Sequence, residues 1–332
     1  MTKQTTASDR ARLPLTAWAE DVQRLQLPMP AFGGVNSWII GPPGRQAIID
    51  NGLPGPETAA VWDAVLAEKA CSGLDAVLLT HMHIDHVGQT AKLIARTVPL
   101  YMSVCEHADL TQLSERRPSA RQDAEMAFLK SGGHPPPNGP SSRDYGVLAP
   151  IPRTFVPLET GAEILLGGIA FEIMLGGGHS SAAVCLICRD RKLIIAGDQI
   201  LSGSGPQIAV WPHRPDADPL EHYFDFLDRL EALPDDLAVL PGHGSPILDF
   251  KAQVARIRNG HLARLDRLRS AIEAAASCAD LIPLVFPGGI PSQLHNRVPY
   301  LVRPLVNYLA NRGYLRPQLD DTGILRFEPV AR

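Results

Sequence analysis

A histidine-rich segment, residues 80–88, constrains the fold of this chain more than any other feature. It reads Thr-His-Met-His-Ile-Asp-His-Val-Gly and directly follows the apolar run 74–79, which predicts a short buried strand. A predicted helix at 91–97 and a second predicted strand at 100–104 come next. Strand, helix and strand in this order indicate an α/β layer, whose ligand sites collect at the carboxyl ends of strands.

The side chains of this segment favour a metal site. If the backbone stays extended after the strand, the alternate residues His81 and His83 face the same side. Asp85 and His86 then turn with the chain toward a second centre. Imidazole and carboxylate groups together suit Zn²⁺, with Fe or Mn as alternatives. The competing interpretation is a histidine cluster without metal. Such a cluster would have to lie on the surface, because burying these groups unpaired would be costly.

Three further candidate ligands each follow a strand-like run later in the chain. His179 stands in Gly-Gly-Gly-His-Ser, Asp198 in Ala-Gly-Asp, and His243 in Pro-Gly-His-Gly. A glycine beside a ligand lets the backbone approach a centre closely. A single His or Asp at a strand end is more often a cap or a hydrogen-bond partner. All three in this order, behind residues 80–88, predict that seven side chains meet in space.

This order of motifs resembles the metallo-β-lactamase-fold hydrolase superfamily, in particular its dinuclear members similar to glyoxalase II. The resemblance covers residues 22–250. It implies an α+β fold in the form of a four-layer αββα sandwich. It also implies one metal held by His81, His83 and His179, a second held by Asp85, His86 and His243, and Asp198 bridging the two.

The resemblance further implies a reaction. Two zinc ions per chain would activate a bridging hydroxide at neutral pH, with Asp85 as the catalytic residue that orients it. The substrate expected is a small-molecule ester, thioester or lactone. Asp198 argues against penicillin-type substrates, because zinc β-lactamases of this fold lack a bridging aspartate. Leu201 stands where the related lactonases carry a tyrosine. Two alternatives stay open: a nuclease or phosphodiesterase acting on single-stranded RNA, and a mononuclear iron persulfide dioxygenase.

Two domains are predicted. Residues 1–250 form the catalytic domain, in which the Pro- and Gly-rich segment 111–154 is expected to cover the active site. Residues 251–332 read as two helices followed by a strand hairpin, which resembles the winged-helix-like appendage of one branch of the superfamily. This C-terminal region carries 12 Lys and Arg against 6 Asp and Glu, whereas the whole chain has a net charge of −4.

One predicted helix of the C-terminal region is basic. No aromatic residues are interleaved with its arginines, so a nucleic-acid surface is possible but not favoured. The favoured interpretation is a solvated helix paired against the acidic main domain, or the interface of a homodimer. The residues concerned are Arg256, Arg258, Arg264, Arg267 and Arg269.

The remaining sequence features concern the class of the protein and its expected location. With 45% hydrophobic and 20% charged residues, the composition is that of a globular protein, and no apolar run approaches the ~20 residues of a membrane span. Five cysteines and a polar N-terminal leader favour a cytoplasmic protein with reduced thiols. Weak candidates for substrate contacts are His134, Tyr145, Trp211 and His213.

Overall fold

The computed structural model describes residues 14–30, 33–67, 73–94, 98–136 and 144–330. The predictions for the N-terminal leader, for Cys71, for the last residues of two helices and for the middle of the proposed covering segment lie outside these ranges. Among the helices of the described ranges, none has both the length and the apolar character that a membrane span requires.

The first sheet contains seven strands in sequential order. Its first four strands pair antiparallel, and the fourth to seventh pair parallel. The strands are β1 (Leu15–Ala19), β2 (Val22–Leu27), β3 (Val35–Ile40), β4 (Gln46–Ile49), β5 (Leu74–Leu78), β6 (Leu100–Ser103) and β7 (Val156–Leu158).

The second sheet contains five strands in the order β12-β11-β10-β9-β8. All neighbours pair antiparallel except β11 and β12, which are parallel. Consequently β9, β11 and β12 run in one direction, and their carboxyl ends lie at the same edge. The strands are β8 (Glu163–Leu166), β9 (Ile169–Gly176), β10 (Ala183–Cys188), β11 (Leu193–Gly197) and β12 (Ala238–Pro241).

Helices cover the outer faces of both sheets, and a hairpin of β13 and β14 closes the chain. Two 3-10 turns, Tyr145–Leu148 and Ser292–Arg297, also occur among the described residues. The others are α1 (Pro56–Ala67), α2 (Ile84–Val87), α3 (Thr90–Ile94), α4 (Val104–Glu115), α5 (Pro118–Ser131), α6 (Pro219–Glu231), α7 (Phe250–Ala271), α8 (Ile282–Val285), α9 (Val298–Asn311), β13 (Leu315–Leu319) and β14 (Leu325–Pro329).

Three large apolar clusters hold the layers together. Because successive side chains of a strand point to opposite faces of its sheet, each buried strand contributes residues to the clusters on both sides. Alternate residues of β10 show the division: Val184 and Leu186 pack between the two sheets, whereas Cys185 and Ile187 pack against the helices of the second sheet. On the outer face of the first sheet, Ile48 packs in the same cluster as Trp62 of helix α1. The order helices, sheet, sheet, helices is the predicted αββα sandwich. Both Cys185 and Cys188 are buried core residues.

The sequence predictions missed several elements. Strand β1 lies between the polar leader 1–13 and the first predicted strand, in a stretch that was assigned no element, and α4 occupies a stretch that was assigned no helix. The amphipathic pattern predicted a helix over 251–276, whereas α7 ends at Ala271, five residues earlier. In the C-terminal region the long helix, a later helix and the hairpin occur in the predicted order, with the short α8 and a 3-10 turn between the helices.

Candidate metal centre

The seven predicted ligands lie at one edge of the sandwich, where strands of both sheets end. Segment 80–88 leaves β5 of the first sheet, while β9, β11 and β12 of the second sheet lead to the other three ligands. Backbone hydrogen bonds join these ends: Val184 donates to the Thr80 carbonyl at 2.7 Å, and Gly242 donates to the Gly197 carbonyl at 2.7 Å. The two sheets therefore fix the loops relative to one another.

Three imidazoles converge in a first group. His83 Nδ1 lies 3.0 Å from His81 Nε2 and 2.8 Å from His179 Nε2. The donor atoms of all three lie within 4.8 Å of one another. Such a set of imidazole nitrogens is a common ligand set for Zn²⁺.

A second group contains one carboxylate and two imidazoles. Asp85 Oδ2 lies 3.3 Å from His243 Nε2 and 3.9 Å from His86 Nε2. These three donor atoms also fall within 4.8 Å of one another. His83 and His86 thus face different groups although they belong to one short segment, because α2 begins between them at Ile84.

Asp198 lies between the two groups. Its Oδ2 is 3.5 Å from His179 Nε2 and 3.5 Å from His243 Nε2, and its Oδ1 is 3.4 Å from His86 Nε2. Gly242 leaves space for this carboxylate, since a Cβ at that position would stand 2.3 Å from Asp198 Oδ1. A carboxylate in this position can contribute an oxygen to each group.

Two histidines are oriented by side chains that the sequence analysis did not identify. His86 Nδ1 lies 2.7 Å from Asp50 Oδ2, and His81 Nδ1 lies 3.0 Å from Thr80 Oγ1. Asp50 also accepts hydrogen bonds from the Thr80 backbone N–H at 2.8 Å and the Thr80 hydroxyl at 2.7 Å. Each contact leaves the Nε2 atom of the histidine free to face the centre.

Two other histidines are oriented by backbone carbonyls. His179 Nδ1 lies 2.9 Å from the Gln207 carbonyl oxygen, and His243 Nδ1 lies 2.8 Å from the Gly34 carbonyl oxygen. A carbonyl can only accept, so each of these rings carries a proton on Nδ1, and in its neutral form each ring would present the lone pair of Nε2 to a metal ion. Loops of both sheets therefore set the tautomers of the cluster.

Glu106 links the two loops that supply the first group. Its Oε2 accepts from the Met82 N–H at 2.9 Å, and its Oε1 accepts from the Ala182 N–H at 2.6 Å. The side chain is completely buried, and burial raises the pKa of this carboxyl. Residue 82 lies between two ligands and residue 182 follows the third, so one carboxyl holds both ligand loops.

The pKa values of the histidines shift in opposite directions in the two groups. Burial lowers the pKa values of His81, His83 and His179, which favours the neutral imidazole that a metal requires. Burial also opposes charge on His86 and His243, but the Asp198 carboxylate outweighs it and raises both pKa values. The same histidines hold the pKa of Asp198 well below its usual range, although burial opposes this.

The residues present fit metal ions. His86 Nε2 and Asp198 Oδ1 are buried without a hydrogen-bond partner in the described part of the chain, and they face the shared centre. Buried polar atoms without partners are costly in a protein interior unless a ligand satisfies them. Nitrogen and oxygen donors of this kind are those that Zn²⁺, Fe and Mn accept, so the cluster suits divalent metal ions.

The four weak candidates for substrate contacts lie at different places. The Trp211 ring is 6.2 Å from the His83 ring in an edge-on arrangement. His134 follows α5, Tyr145 packs in the outer helical layer of the first sheet, and His213 lies near Asp109 and Arg214. Only Trp211 has a described ring contact with the ligand cluster among these four.

Sequence signals existed for some of the residues that were missed. Asp50 ends β4, which is the parallel neighbour of β5, so its side chain emerges at the edge where ligands collect. Ser103 and Glu106 have the S-x-x-E spacing of a helix start, and Ser103 Oγ accepts from the Glu106 N–H at 3.3 Å. The Gln207 carbonyl had no such signal, because a backbone group carries no residue preference.

Comparison with known proteins decides the family. The model of the metallo-beta-lactamase superfamily matches residues 30–243, which include all seven residues of the cluster. The chain belongs to the metallo-beta-lactamase superfamily. With its His/Asp cluster, this metallo-beta-lactamase superfamily member is a metal-dependent hydrolase.

Individual relatives of this superfamily member include a protein of the same fold and two proteins with thioesterase names. A beta-lactamase domain protein from Burkholderia ambifaria superposes with a TM-score of 0.83 at 24% identity, covering 95% of this chain and 93% of the other, which shows a shared fold. An atrochrysone carboxyl ACP thioesterase of Emericella nidulans is 26% identical over 223 residues, 67% of this chain but 55% of its own length. An acyl-coenzyme A thioesterase of Homo sapiens is 27% identical over 223 residues, 63% of this chain and 72% of its own.

Proposed function

We propose that this protein is a dinuclear metal-dependent thioesterase that hydrolyses an acyl thioester of a small molecule. The observation that carries the proposal is the position of Asp198 between two sets of donor atoms, at 3.5 Å from both His179 Nε2 and His243 Nε2. A carboxylate shared in this way can serve as a ligand to two neighbouring metal ions at once.

The proposed ligand sets follow the two groups. One ion would be held by His81, His83 and His179, the other by Asp85, His86 and His243, with Asp198 contributing to both. When bound, two such ions supply Lewis acidity and lower the pKa of water toward neutrality. Zinc is the metal we propose first, since imidazole and carboxylate donors form its catalytic sites.

Residues of the chain would position the reacting groups. Asp85 is buried, and its carboxylate is 3.3 Å from His243 Nε2, so it can accept a proton from water and orient that water at the centre. Trp211 places an aromatic edge beside His83 and is half-buried, so it can form an apolar wall next to the reaction site. We therefore propose Asp85 as the catalytic residue and Trp211 as a substrate-contact residue.

A thioester is favoured over an oxygen ester or a lactone by the relatives. Two of them carry thioesterase names, one for an acyl carrier protein thioester and one for acyl-coenzyme A. The shared chemical feature of those substrates is an acyl group on a thiol. The proposal therefore names the bond that is broken and leaves the acyl group to experiment.

A substrate panel on zinc-loaded protein tests this proposal. We expect thiol release from acyl-coenzyme A and acyl N-acetylcysteamine thioesters, with slower cleavage of matched oxygen esters and lactones. Asp198→Asn should reduce kcat/KM by at least about 100-fold, because the carboxylate serves both ligand sets. Asp190→Asn, a change of the same kind on an exposed residue, should leave the rate unchanged.

Other outcomes would assign other functions. Cleavage of single-stranded RNA without thiol release would favour a nuclease. A single iron per chain with oxygen consumption on a persulfide would favour a dioxygenase. Metal analysis that finds about two zinc ions per chain, together with thioester cleavage, agrees only with the proposed function.

A further inference from the structure

A cavity of about 560 Å³ lies between residues 204–208 and the helices of the C-terminal region. Its walls come from residues 204–208, from helices α6, α7, α8 and α9, and from the turn before α9. Cavities of this size accommodate small organic ligands. Most of the wall is apolar and includes Ile208, Leu220, Val285, Leu294, Leu301 and Leu305.

His261 is a buried polar residue on this wall. Its exposed fraction is 8%, and within the described ranges neither ring nitrogen has a hydrogen-bond partner. The rings of Tyr223 and Phe224 lie edge-on to it at 5.9 and 6.3 Å, so its neighbours within the fold are largely apolar. Burial, assisted by Arg264, lowers the pKa of His261 to about 4, so the ring is neutral at pH 7 and offers one donor.

Arg264 supplies positive charge to the same wall. It lies one turn of α7 after His261 and lines the cavity, and it forms no ion pair with a carboxylate of the described residues. Burial and the neighbouring Arg267 lower the pKa of its guanidinium, although an arginine remains charged. On the same helix, by contrast, Arg258 is paired with Asp228 at 2.6 Å and Glu231 at 3.0 Å.

We propose that this cavity binds a small carboxylate with an apolar body. The carboxylate would accept hydrogen bonds from the Arg264 guanidinium and from one His261 nitrogen, which have no partner of their own in the described chain. The apolar body would occupy the aliphatic wall. A neutral ligand would leave the guanidinium unpaired, and a cation would be repelled by it.

The site is connected to the metal centre through one residue. Gln207 lines the cavity, and its carbonyl accepts the hydrogen bond from His179 Nδ1 at 2.9 Å. An occupant that packs against residues 204–208 would therefore restrain the partner of a proposed metal ligand. The acid released from an acyl thioester has the same chemistry, so the bound carboxylate is either this product or a separate effector.

Calorimetric titration of the zinc-loaded full chain with octanoate tests the proposal without turnover. We expect saturable binding of octanoate and none of octanol or octylamine at the same concentration. Arg264→Gln should weaken octanoate binding at least 10-fold, equivalent to 1.4 kcal/mol. Arg256→Gln, on the exposed face of α7, is the matched control and should leave binding unchanged.

Three results would overturn it: no octanoate binding, octanol binding equally well, or octanoate binding that survives Arg264→Gln but is lost in Asp198→Asn. The last would place the carboxylate on the metal ions. His261→Leu should also weaken binding, and a shift of the His261 ring resonances on addition of octanoate provides a readout that does not need this variant to fold. The acid of the best thioester substrate, compared with unrelated acids, separates product from effector.

Discussion

Asp50 fixes one histidine of the metal centre through a short hydrogen bond. Its Oδ2 lies 2.7 Å from His86 Nδ1, and its carboxylate also accepts two hydrogen bonds from Thr80. Asp50→Asn keeps the size of the side chain and tolerates its backbone φ of 58°. The amide places a donor where only acceptors fit, so we expect zinc affinity to fall about 10- to 100-fold, measured by competition with a chromogenic chelator.

The matched control for this substitution is Asp63→Asn. Asp63 is an exposed carboxylate paired with Lys92, away from the cluster, and its replacement removes the same charge. Zinc affinity should not change in this variant. Equal affinities of wild-type protein and Asp50→Asn would contradict the role of Asp50 in orienting His86.

Glu106 supports a prediction about folding stability. Both of its oxygens accept backbone N–H groups, so Glu106→Gln turns an amide donor toward Met82 or Ala182. A buried donor facing another donor should lower the free energy of unfolding by about 1–3 kcal/mol. Urea denaturation measures it, and Glu115→Gln, on the exposed side of the same helix, should change it by less than about 0.5 kcal/mol.

Among the helices and strands, the sequence was most informative where a buried apolar run leads directly into candidate metal ligands. Strand β5 and the turn after it were predicted because a run of six residues, five of them apolar, leads directly into clustered ligands. Helix α4 was missed because its apolar residues do not form one clear stripe, although the spacing of Ser103 and Glu106 marked its start. Contacts made by backbone carbonyls, such as that of Gln207, depend on the folded loops and leave no pattern in the sequence.

The contact between the end of α6 and the start of α7 gives a prediction about thermal stability. Lys251 Nζ, near the start of α7, donates at 2.6 Å to the carbonyl of Glu231, the last residue of α6, and at 2.5 Å to the carbonyl of Leu233, just beyond it. An ammonium group at a helix C-terminus satisfies open carbonyls and interacts favourably with the helix dipole. Lys251→Met should therefore lower the thermal midpoint, by a stability loss of about 1 kcal/mol.

An exposed residue of α7 serves as the comparison for this variant. Arg256→Met removes one positive charge from the same helix without removing a described hydrogen bond. Differential scanning calorimetry should show a thermal midpoint close to that of the wild-type protein. A similar decrease in both variants would mean that net charge, and not the contact with α6, causes the effect.

For the whole molecule, the αββα order could be predicted from the motif resemblance, whereas the relation of the C-terminal region to it could not. Residues from both sides of position 250 share one apolar cluster: Phe226 of α6 packs in the same cluster as Leu265 of α7 and Phe327 of β14. A charge count or an element order does not reveal such packing, because it arises only when α6 and α7 lie side by side. The prediction of two domains remains to be tested by experiment.

The shared cluster predicts that both parts of the chain unfold together. All four tryptophans precede residue 250, so their fluorescence reports on the sandwich, whereas far-ultraviolet circular dichroism also reports α7 and α9. In urea we expect both signals to change with the same midpoint, because unfolding the C-terminal helices would expose the core side of α6. An early loss of helix signal at constant fluorescence would instead show an independent C-terminal domain. Adding zinc should raise both midpoints by the same amount if it binds at the cluster, since ligand binding stabilises the whole cooperative unit.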